Sequence, residues 1–335
     1  MTVKYVLHDR SFLLPYVTKY IVQPLVKRIP RSVSANSLTL SSLTCGATGF
    51  TIALATTPSH LSLFAVMLCF AGYMLCDNLD GPHARATGTT SPLGEFLDHW
   101  LDSVNGLFVF VGSAYALGVH DARTLGIVAT LVASMALTFW EQRVTGRMYM
   151  GRFGTLEGLT CALLLLLTFA ILGPDAMYTF TWRGYDGIDL FVLLAVFAGG
   201  ATVVGPMGRT RKQLGEAFEI LAFLGCFVAW GLRGAAPMLA IFTLVALTGP
   251  LTGGRRLMGR VVKDHTIGPP PVVLYIAVGF AAAGALGVLP AAQQPALAWG
   301  LVAVIAVQVA LDFRRAVRLL GEYVRPNEVL RFLLP

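Results

Sequence analysis

Residues 60–80 read HLSLFAVMLCFAGYMLCDNLD, an apolar run that ends in two aspartates. Between His60 and Asp77 the run carries no charged side chain. Its length approaches the roughly 20 apolar residues that cross a hydrocarbon core as a helix. This stretch therefore predicts a transmembrane helix that brings carboxylates to one face of a bilayer.

The composition of the whole chain agrees with a membrane protein. Of 335 residues, 56% are hydrophobic and 13% are charged, and the mean hydropathy is +0.69. Soluble domains carry roughly 25% charged residues, so a water-soluble enzyme is excluded. A disordered chain is excluded as well, because its apolar content would be much lower. We therefore predict an all-α integral membrane protein.

Ten apolar stretches of suitable length follow one another along the chain. Their connections are short, so consecutive helices should run antiparallel and pack as one bundle, a membrane domain over residues 36–313. Residues 1–35 would precede it as a cytoplasmic interfacial segment, and residues 314–335 would follow it as a cytoplasmic tail. The stretches lie near 38–57, 60–77, 95–118, 122–142, 155–173, 189–207, 214–232, 235–253, 270–289 and 294–312.

The positive charges indicate which face is cytoplasmic. If both termini share one face, all but three of the 25 Lys and Arg residues lie on it, the exceptions being Arg123, Arg183 and Arg233. The positive-inside rule then places both termini in the cytoplasm of a multi-pass protein, in a bacterial inner membrane or an endomembrane. The net charge of +7 reflects this sidedness, and we expect no nucleic-acid partner.

Residues 11–30 mix apolar and basic side chains over a length that suits an amphipathic helix. We expect this N-terminal segment to lie in the headgroup region at the cytoplasmic face, with Pro15 and Pro24 as breaks. The alternative is a solvated arm whose pattern is incidental.

Four aspartates lie close together in the sequence at the predicted cytoplasmic face. Asp77 and Asp80 end one apolar stretch, and Asp98 and Asp102 begin the next. Spacings of three and four residues put each pair on one helix face. Carboxylates this dense in a low-dielectric setting require cations. Hard oxygen ligands suit Mg²⁺, Mn²⁺ or Ca²⁺, here as a pair of ions about 4 Å apart.

The connection between these helices carries the complementary charge. We expect a short loop that contains Arg85 and the glycines Gly81, Gly88 and Gly94. An Arg beside divalent cations is suited to bidentate binding of phosphate oxygens. Gly81 and Ala84 leave room for a ligand near the backbone. These residues together favour a phosphate-containing substrate with a lipid partner.

The stretch from Asp77 to Asp102 resembles the signature of the CDP-alcohol phosphotransferases, DxxDGxxAR(x8)GxxxDxxxD. The resemblance implies that the four aspartates hold two divalent cations, Mg²⁺ or Mn²⁺, which grip the pyrophosphate of a CDP-alcohol. An alcohol then attacks the β-phosphorus and CMP leaves. All defining positions are present: Asp77, Asp80, Gly81, Ala84, Arg85, Gly94, Asp98 and Asp102.

Three further stretches resemble the choline/ethanolamine phosphotransferase branch. Residues 91–99, SPLGEFLDH, are similar to SPLGELFDH in the eukaryotic enzymes, and residues 35–39, ANSLT, are similar to PNxLT at their first helix. Ten helices also suit that branch. A W(x5)G(x4)G(x5)E pattern of the same enzymes is matched by Trp140, Gly146, Gly151 and Glu157.

This resemblance assigns roles to further residues. It makes His99 the base that deprotonates the acceptor hydroxyl and Glu157 the carboxylate that orients His99, in line with the near-neutral pKa that general bases need. In the wider family Asp102 is the proposed base, so it stays a ligand with a possible second role. Asn36 would contact the CDP-alcohol, and the alternative for Asn36 is a helix N-cap.

The function implied is transfer of phosphocholine or phosphoethanolamine from CDP-choline or CDP-ethanolamine to diacylglycerol, a step of phospholipid biosynthesis. A homodimer is implied by the resemblance alone. The same chemistry with CDP-diacylglycerol and a soluble polyol, or with a ceramide acceptor, remains an alternative. A cation transporter is a distant alternative, because the acids cluster at one face instead of lining the bilayer midplane.

Overall fold

The computed structural model describes residues 6–152, 154–179, 181–211, 213–262, 269–325 and 329–334, which are mostly helical. The predicted all-α class is confirmed. The helices in chain order are α1 Leu14–Val17, α2 Gln23–Val26, α3 Ala35–Ala55, α4 His60–Thr87, α5 Pro92–Ala116, α6 Ala122–Thr145, α7 Thr155–Leu172, α8 Ala176–Thr179, α9 Gly187–Arg209, α10 Leu214–Leu232, α11 Met238–Gly249, α12 Arg255–Val262, α13 Val272–Ala285 and α14 Gln294–Leu319.

Short elements connect these helices. The strands are β1 Val6–Asp9, β2 Arg147–Met150, β3 Thr181–Trp182 and β4 Tyr185–Asp186, and β3 pairs antiparallel with β4. Two π-helical turns, at Thr18–Val22 and Pro250–Gly254, continue neighbouring α-helices. Single 3₁₀ turns occupy Ala291–Gln293, Gly321–Tyr323 and Val329–Leu333.

Among the described residues, eight helices are long and apolar enough to cross a membrane. The count of ten is not confirmed. The stretch near 95–118 is helical as α5 but carries acidic residues in its first turns, and the stretch near 270–289 is the 14-residue helix α13, which is short for a span. The eight are Ala35–Ala55, His60–Thr87, Ala122–Thr145, Thr155–Leu172, Gly187–Arg209, Leu214–Leu232, Met238–Val262 and Ala291–Leu319.

The chain divides into two compact units. The first comprises Met1–Gly118, Tyr149–Ile188 and Ala316–Pro335, and the second comprises Val119–Met148 and Asp189–Arg315. This division into two units was not expected from the sequence. The packing of all helices as one bundle stays a prediction, and so do the boundaries 1–35, 36–313 and 314–335.

In the first unit α3, α4 and α5 pack closely around Phe70, which is 1% exposed. A Cβ at Gly49 of α3 would lie 2.6 Å from the Phe70 ring, and one at Gly112 of α5 would lie 2.8 Å from it. Two glycines therefore let α3 and α5 approach the same aromatic side chain of α4. Small residues at such positions are typical of helix packing within membranes.

The second unit holds its buried charges in pairs. Arg255 donates to Asp312, and both side chains are under a tenth exposed. Arg256 donates to Glu216 and Glu219, while Arg209 binds the fully buried Glu141 through two nitrogens. Because a buried charge without a partner is costly, these pairs allow arginines inside an apolar unit.

The N-terminal segment, residues 11–30, is helical from Leu14 to Val26 and is not broken at Pro24. Proline has no N–H, and the preceding turn compensates as a π-helix in which the Gln23 N–H donates to the Thr18 carbonyl. Pro15 lies in the first turn, where an N–H has no helical partner anyway. The exposed large apolar side chains of the N-terminal segment are Phe12, Tyr16, Tyr20 and Ile21. These suit the predicted place in the headgroup region, which stays a prediction.

Candidate active site

Helix α4 extends further than the sequence indicated. Gly81 was expected to lie in a loop, but the helix ends only at Gly88, a left-handed C-cap with φ of +69°. The expectation that Gly81 and Arg85 lie in the loop was therefore wrong, and Gly94, expected there too, lies in the first turn of α5. Tertiary contacts explain the difference, because His83 is buried with Nε2 2.9 Å from the Val33 carbonyl oxygen.

Three of the four aspartates converge on one spot. Asp77 of α4 and Asp98 and Asp102 of α5 each place a carboxylate oxygen within 4.8 Å of the others. We refer to these residues as the acidic trio. All three are partly buried, and the Tyr73 hydroxyl lies 3.4 Å from an oxygen of Asp102, to which it donates. The predicted convergence of the two helix faces is thus observed for these residues.

The acidic trio suits a divalent cation. Two ionised carboxylates with oxygens 4.8 Å apart repel each other by roughly 3 kcal/mol at an effective dielectric constant of about 20. Carboxylate oxygens are the ligands that Mg²⁺ and Mn²⁺ prefer, and three charges at this distance provide more negative charge than one arginine offsets. The donor set therefore fits the cations that the motif implied.

Asp80, the fourth aspartate of the motif, is outside the set with mutual distances within 4.8 Å but interacts electrostatically with Asp77 and Asp98. It is 5% exposed, and its two oxygens accept hydrogen bonds from the Thr39 hydroxyl and the Gly81 N–H, each at 2.5 Å. A carboxylate oxygen has a second lone pair, so these bonds leave room for a cation. The role of Asp80 as a metal ligand stays a prediction, and its observed partner on α3 is Thr39.

Arg85 lies one helical turn after Gly81. A Cβ at Gly81 would come within 3.3 Å of the Arg85 Nη1, so the glycine lets the guanidinium lie against the helix. The guanidinium interacts electrostatically with Asp80 and Asp98, and its side chain is exposed. Ala84 is buried on the same helix. A cationic group thus borders the acidic site where a phosphate could be bound.

His99 and Glu157 have separate observed contacts. His99 is 7% exposed, and its Nδ1 lies 3.6 Å from an oxygen of Asp98. The Glu157 carboxylate accepts hydrogen bonds from the Ser11 hydroxyl, from the Leu13 N–H at 3.2 Å and from the Gly154 N–H at 2.8 Å. Glu157 therefore caps α7 and fastens the N-terminal segment. Its pairing with His99 stays a prediction.

Asn36 is not the helix N-cap that the sequence offered as an alternative. Ser34 caps α3 by accepting from the Ser37 N–H, and Asn36 is the second residue of the helix, 9% exposed. Its side-chain oxygen faces Gly94, where a Cβ would lie 3.7 Å away.

Asn36 also lines a cleft of about 260 Å³ at the N-terminal ends of α3 and α5. We call this cavity the polar cleft; six of its lining residues are Ser34, Asn36, Thr90, Ser91, Tyr323 and Arg325.

Sequence reasoning missed three residues of this region. Tyr73 lies four residues before Asp77, so helix periodicity alone would have found it. Thr39 belongs to the ANSLT stretch, but its partner Asp80 lies 41 positions away in the sequence and on another helix. Nothing in the local sequence indicated that Ser11 would bind Glu157.

Comparison with known proteins supports the family resemblance. Residues 32–197 match the family model described as CDP-alcohol phosphatidyltransferase. The chain is 34% identical to a CDP-diacylglycerol–serine O-phosphatidyltransferase of Encephalitozoon cuniculi over 164 residues, which are 46% of this chain and 42% of the relative. It is 29% identical to cholinephosphotransferase 1 of Gallus gallus over 201 residues, 57% of this chain and 59% of the relative.

A third relative is choline/ethanolaminephosphotransferase 1 of Saccharomyces cerevisiae, 28% identical over 213 residues, which cover 58% of this chain and 54% of the relative. The chain thus spans about half the length of these relatives. The motif containing Asp77, Asp98 and Asp102 lies inside the matched segment, and the resemblance read from it is confirmed. Residues 32–197 of this chain are a domain of the CDP-alcohol phosphatidyltransferase family, whose members transfer phosphate-containing groups.

Proposed function

We propose that this protein transfers phosphocholine or phosphoethanolamine from a CDP-alcohol to the hydroxyl of diacylglycerol and releases CMP. The observation that carries the proposal is the acidic trio of Asp77, Asp98 and Asp102, with oxygens within 4.8 Å of one another and the Arg85 guanidinium interacting electrostatically with Asp98. A pyrophosphate needs both cations and a positioned arginine to neutralise its charge during phosphoryl transfer.

The reaction forms one bond and breaks one. The acceptor oxygen attacks the β-phosphorus and forms a P–O bond, and the bond from that phosphorus to the bridging oxygen breaks. CMP leaves with the electron pair of the broken bond. The hydroxyl proton passes to a base of the protein. Positioning of the two reactants supplies much of the rate enhancement in such reactions.

Asp77, Asp80, Asp98 and Asp102 are the proposed ligands of two divalent cations, Mg²⁺ or Mn²⁺. When bound, the cations supply charge neutralisation on the pyrophosphate oxygens. Arg85 binds a phosphate oxygen beside them. Gly81 and Ala84 keep the α4 backbone accessible to the substrate, and Gly94 does the same at the start of α5. Asn36, at the start of α3, would contact the CDP-alcohol.

His99 is the proposed base, because it is a buried imidazole next to Asp98 in sequence and space. Glu157 would orient it after giving up its contact with Ser11. Asp102 is the alternative base, and the Tyr73 hydroxyl that donates to it would restrain its carboxylate. A positioned general base contributes about 10²–10⁴-fold to rate.

The site and both termini are proposed to face the cytoplasm, of a bacterial inner membrane or an endomembrane. The distribution of Lys and Arg supports this orientation. Diacylglycerol would then enter from the inner leaflet, beside the N-terminal segment with its exposed aromatic residues. A homodimer is part of the proposal through the resemblance alone.

A second candidate function is transfer of a phosphatidyl group from CDP-diacylglycerol to a soluble alcohol. It is favoured by the 34% identity to a CDP-diacylglycerol–serine O-phosphatidyltransferase. A ceramide acceptor is a further variant. The acidic trio would serve each of these reactions in the same way, so substrates rather than the metal site distinguish them.

The test is CMP release by the purified full chain in lipid–detergent micelles. CDP-choline or CDP-ethanolamine is paired with diacylglycerol or ceramide, and CDP-diacylglycerol is paired with serine or a polyol, each with Mg²⁺, Mn²⁺ or EDTA. Metal-dependent release with diacylglycerol, lost in Asp98→Asn and kept in the control Asp175→Asn, is the expected result. Release confined to CDP-diacylglycerol would establish the second candidate, and no release from any pair would refute both.

A further inference from the structure

The polar cleft brings together segments that are far apart in the sequence. Ser34 and Asn36 come from the start of α3, Ser91 from the start of α5, and Tyr323 and Arg325 from the C-terminal segment. The last two lie well beyond residues 32–197, the part that matches the family model. All of them belong to the first unit, as do the four aspartates.

The polar cleft is connected to the aspartates of the motif through two helices. On α5, Ser91 precedes Asp98 by seven residues, which is about 10 Å at a rise of 1.5 Å per residue, and Gly94 lies between them on the same face. On α3, Asn36 lies one turn before Thr39, whose hydroxyl binds Asp80. A ligand whose diphosphate lies at the acids can therefore reach the cleft along these two helices.

The lining of the polar cleft suits a nucleobase. Asn36 offers an amide donor and an acceptor, Ser34 and Ser91 offer hydroxyls, and Arg325 offers a planar fork of donors. The Tyr323 phenol is hydrogen-bonded to the Glu322 carboxylate, which raises the pKa of the phenol. An aromatic ring in this position can stack on a base.

Cytosine presents two neighbouring acceptors and one amino group at its pairing edge. A guanidinium fork matches two neighbouring acceptors, and uracil replaces one of them with a donor. A site built from Arg325 and Asn36 would therefore prefer cytosine over uracil. An inorganic phosphate group would bind to the Arg325 guanidinium but would not contact the ring of Tyr323 or the side-chain amide of Asn36.

We propose that Tyr323 and Arg325 of the C-terminal segment bind the cytosine ring of the CDP-alcohol in the polar cleft. The inference rests on the proposed function, because it assigns the nucleoside end of that substrate. These two residues are binding and specificity residues, so their loss affects KM and nucleotide preference more than kcat.

The experiment measures binding of CMP, UMP and inorganic pyrophosphate to the full chain in micelles with saturating Mg²⁺. Arg325→Ala should raise the Kd for CMP about tenfold or more, since hydrogen bonds from a charged donor are being removed. It should also abolish the preference for CMP over UMP and leave pyrophosphate binding unchanged. Arg331→Ala, an exposed arginine of the same segment, is the matched control.

Tyr323→Leu should weaken CMP and UMP alike by roughly 5–100-fold through lost stacking, whereas Tyr323→Phe should retain parental affinity. Where Arg325→Ala impairs folding, which thermal unfolding detects, Arg325→Lys replaces it and should also lose the preference for CMP over UMP, because an ammonium group lacks the planar fork of the guanidinium. With CDP-alcohol as substrate, the same variants should raise KM with little change in kcat.

Two outcomes would overturn this assignment while leaving the proposed function in place. The first is parental CMP affinity in both Arg325→Ala and Tyr323→Leu. The second is an equal loss of CMP and pyrophosphate binding in Arg325→Ala, which would assign the arginine to phosphate. Absence of any CMP binding by the parent protein with Mg²⁺ or Mn²⁺ would instead overturn the proposed function, and this inference with it.

Discussion

Asp98→Asn should make the protein more stable without metal and less able to gain stability from it. Asp98 has two carboxylate neighbours, Asp77 and Asp102, with ligand oxygens within 4.8 Å. Each pair repels by roughly 3 kcal/mol at an effective dielectric constant of about 20. The Asp98 side chain is 34% exposed, so solvent and salt screen part of this repulsion. We expect a gain of about 1–3 kcal/mol in the free energy of unfolding.

The assay is thermal unfolding in micelles, with EDTA and with saturating Mg²⁺ or Mn²⁺. In EDTA the variant should unfold a few degrees above the parent. With cation at 100 times its Kd, the parent should gain about 2.7 kcal/mol, and the variant should gain little. Asp175→Asn, an exposed aspartate of the same unit, should behave as the parent. A parent protein that no divalent cation stabilises, together with an unchanged or lower Tm for Asp98→Asn in EDTA, would refute the reasoning.

Three other perturbations have defined outcomes. Gly112→Ala should cost about 1–3 kcal/mol in unfolding free energy because its Cβ would overlap Phe70, whereas Gly106→Ala on the same helix, with open space around it, should cost nothing; equal Tm values would contradict the packing. Glu157→Gln should speed amide hydrogen exchange at residues 11–13 and 154, since a neutral amide accepts these bonds more weakly, and unchanged exchange would exclude the fastening role. His99→Ala should lower kcat about 100-fold or more while keeping the Mg²⁺-dependent rise in Tm, and parental kcat would remove His99 as the base.

The sequence predicted the convergence of all four aspartates, and the part that the structure shows, the acidic trio, is the part that helix periodicity determines. Asp98 and Asp102 are four residues apart, and a short connection brings them next to Asp77. The same periodicity did not separate Asp77 from Asp80. Three residues turn a helix by about 300°, so the two side chains differ in direction by roughly 60°. Which one reaches α5 and which one reaches Thr39 depends on the neighbouring helices, and a single sequence carries no information on that.

Helix ends were predicted less well for a related reason. Gly81 and Pro82 have low helix propensity, but burial of His83 and Ala84 keeps α4 helical to Thr87. The same applies at Pro24, where a π-turn accommodates the missing N–H. The count of ten spans is not confirmed, and one reason is that apolar composition alone did not reveal that α13 has 14 residues. The polar cleft was not predicted at all, since it joins residues about 290 positions apart.

The discontinuity of the first unit has a consequence for biogenesis. Residues 189–315 separate its middle part from Ala316–Pro335, so the ribosome must add all of them before Tyr323 and Arg325 exist. At about 5–20 residues per second this takes on the order of ten seconds. During that interval a nascent chain already contains its aspartates in the membrane but lacks one wall of the polar cleft. If Tyr323 and Arg325 bind the nucleotide as proposed, capture of a CDP-alcohol should therefore begin only late in synthesis.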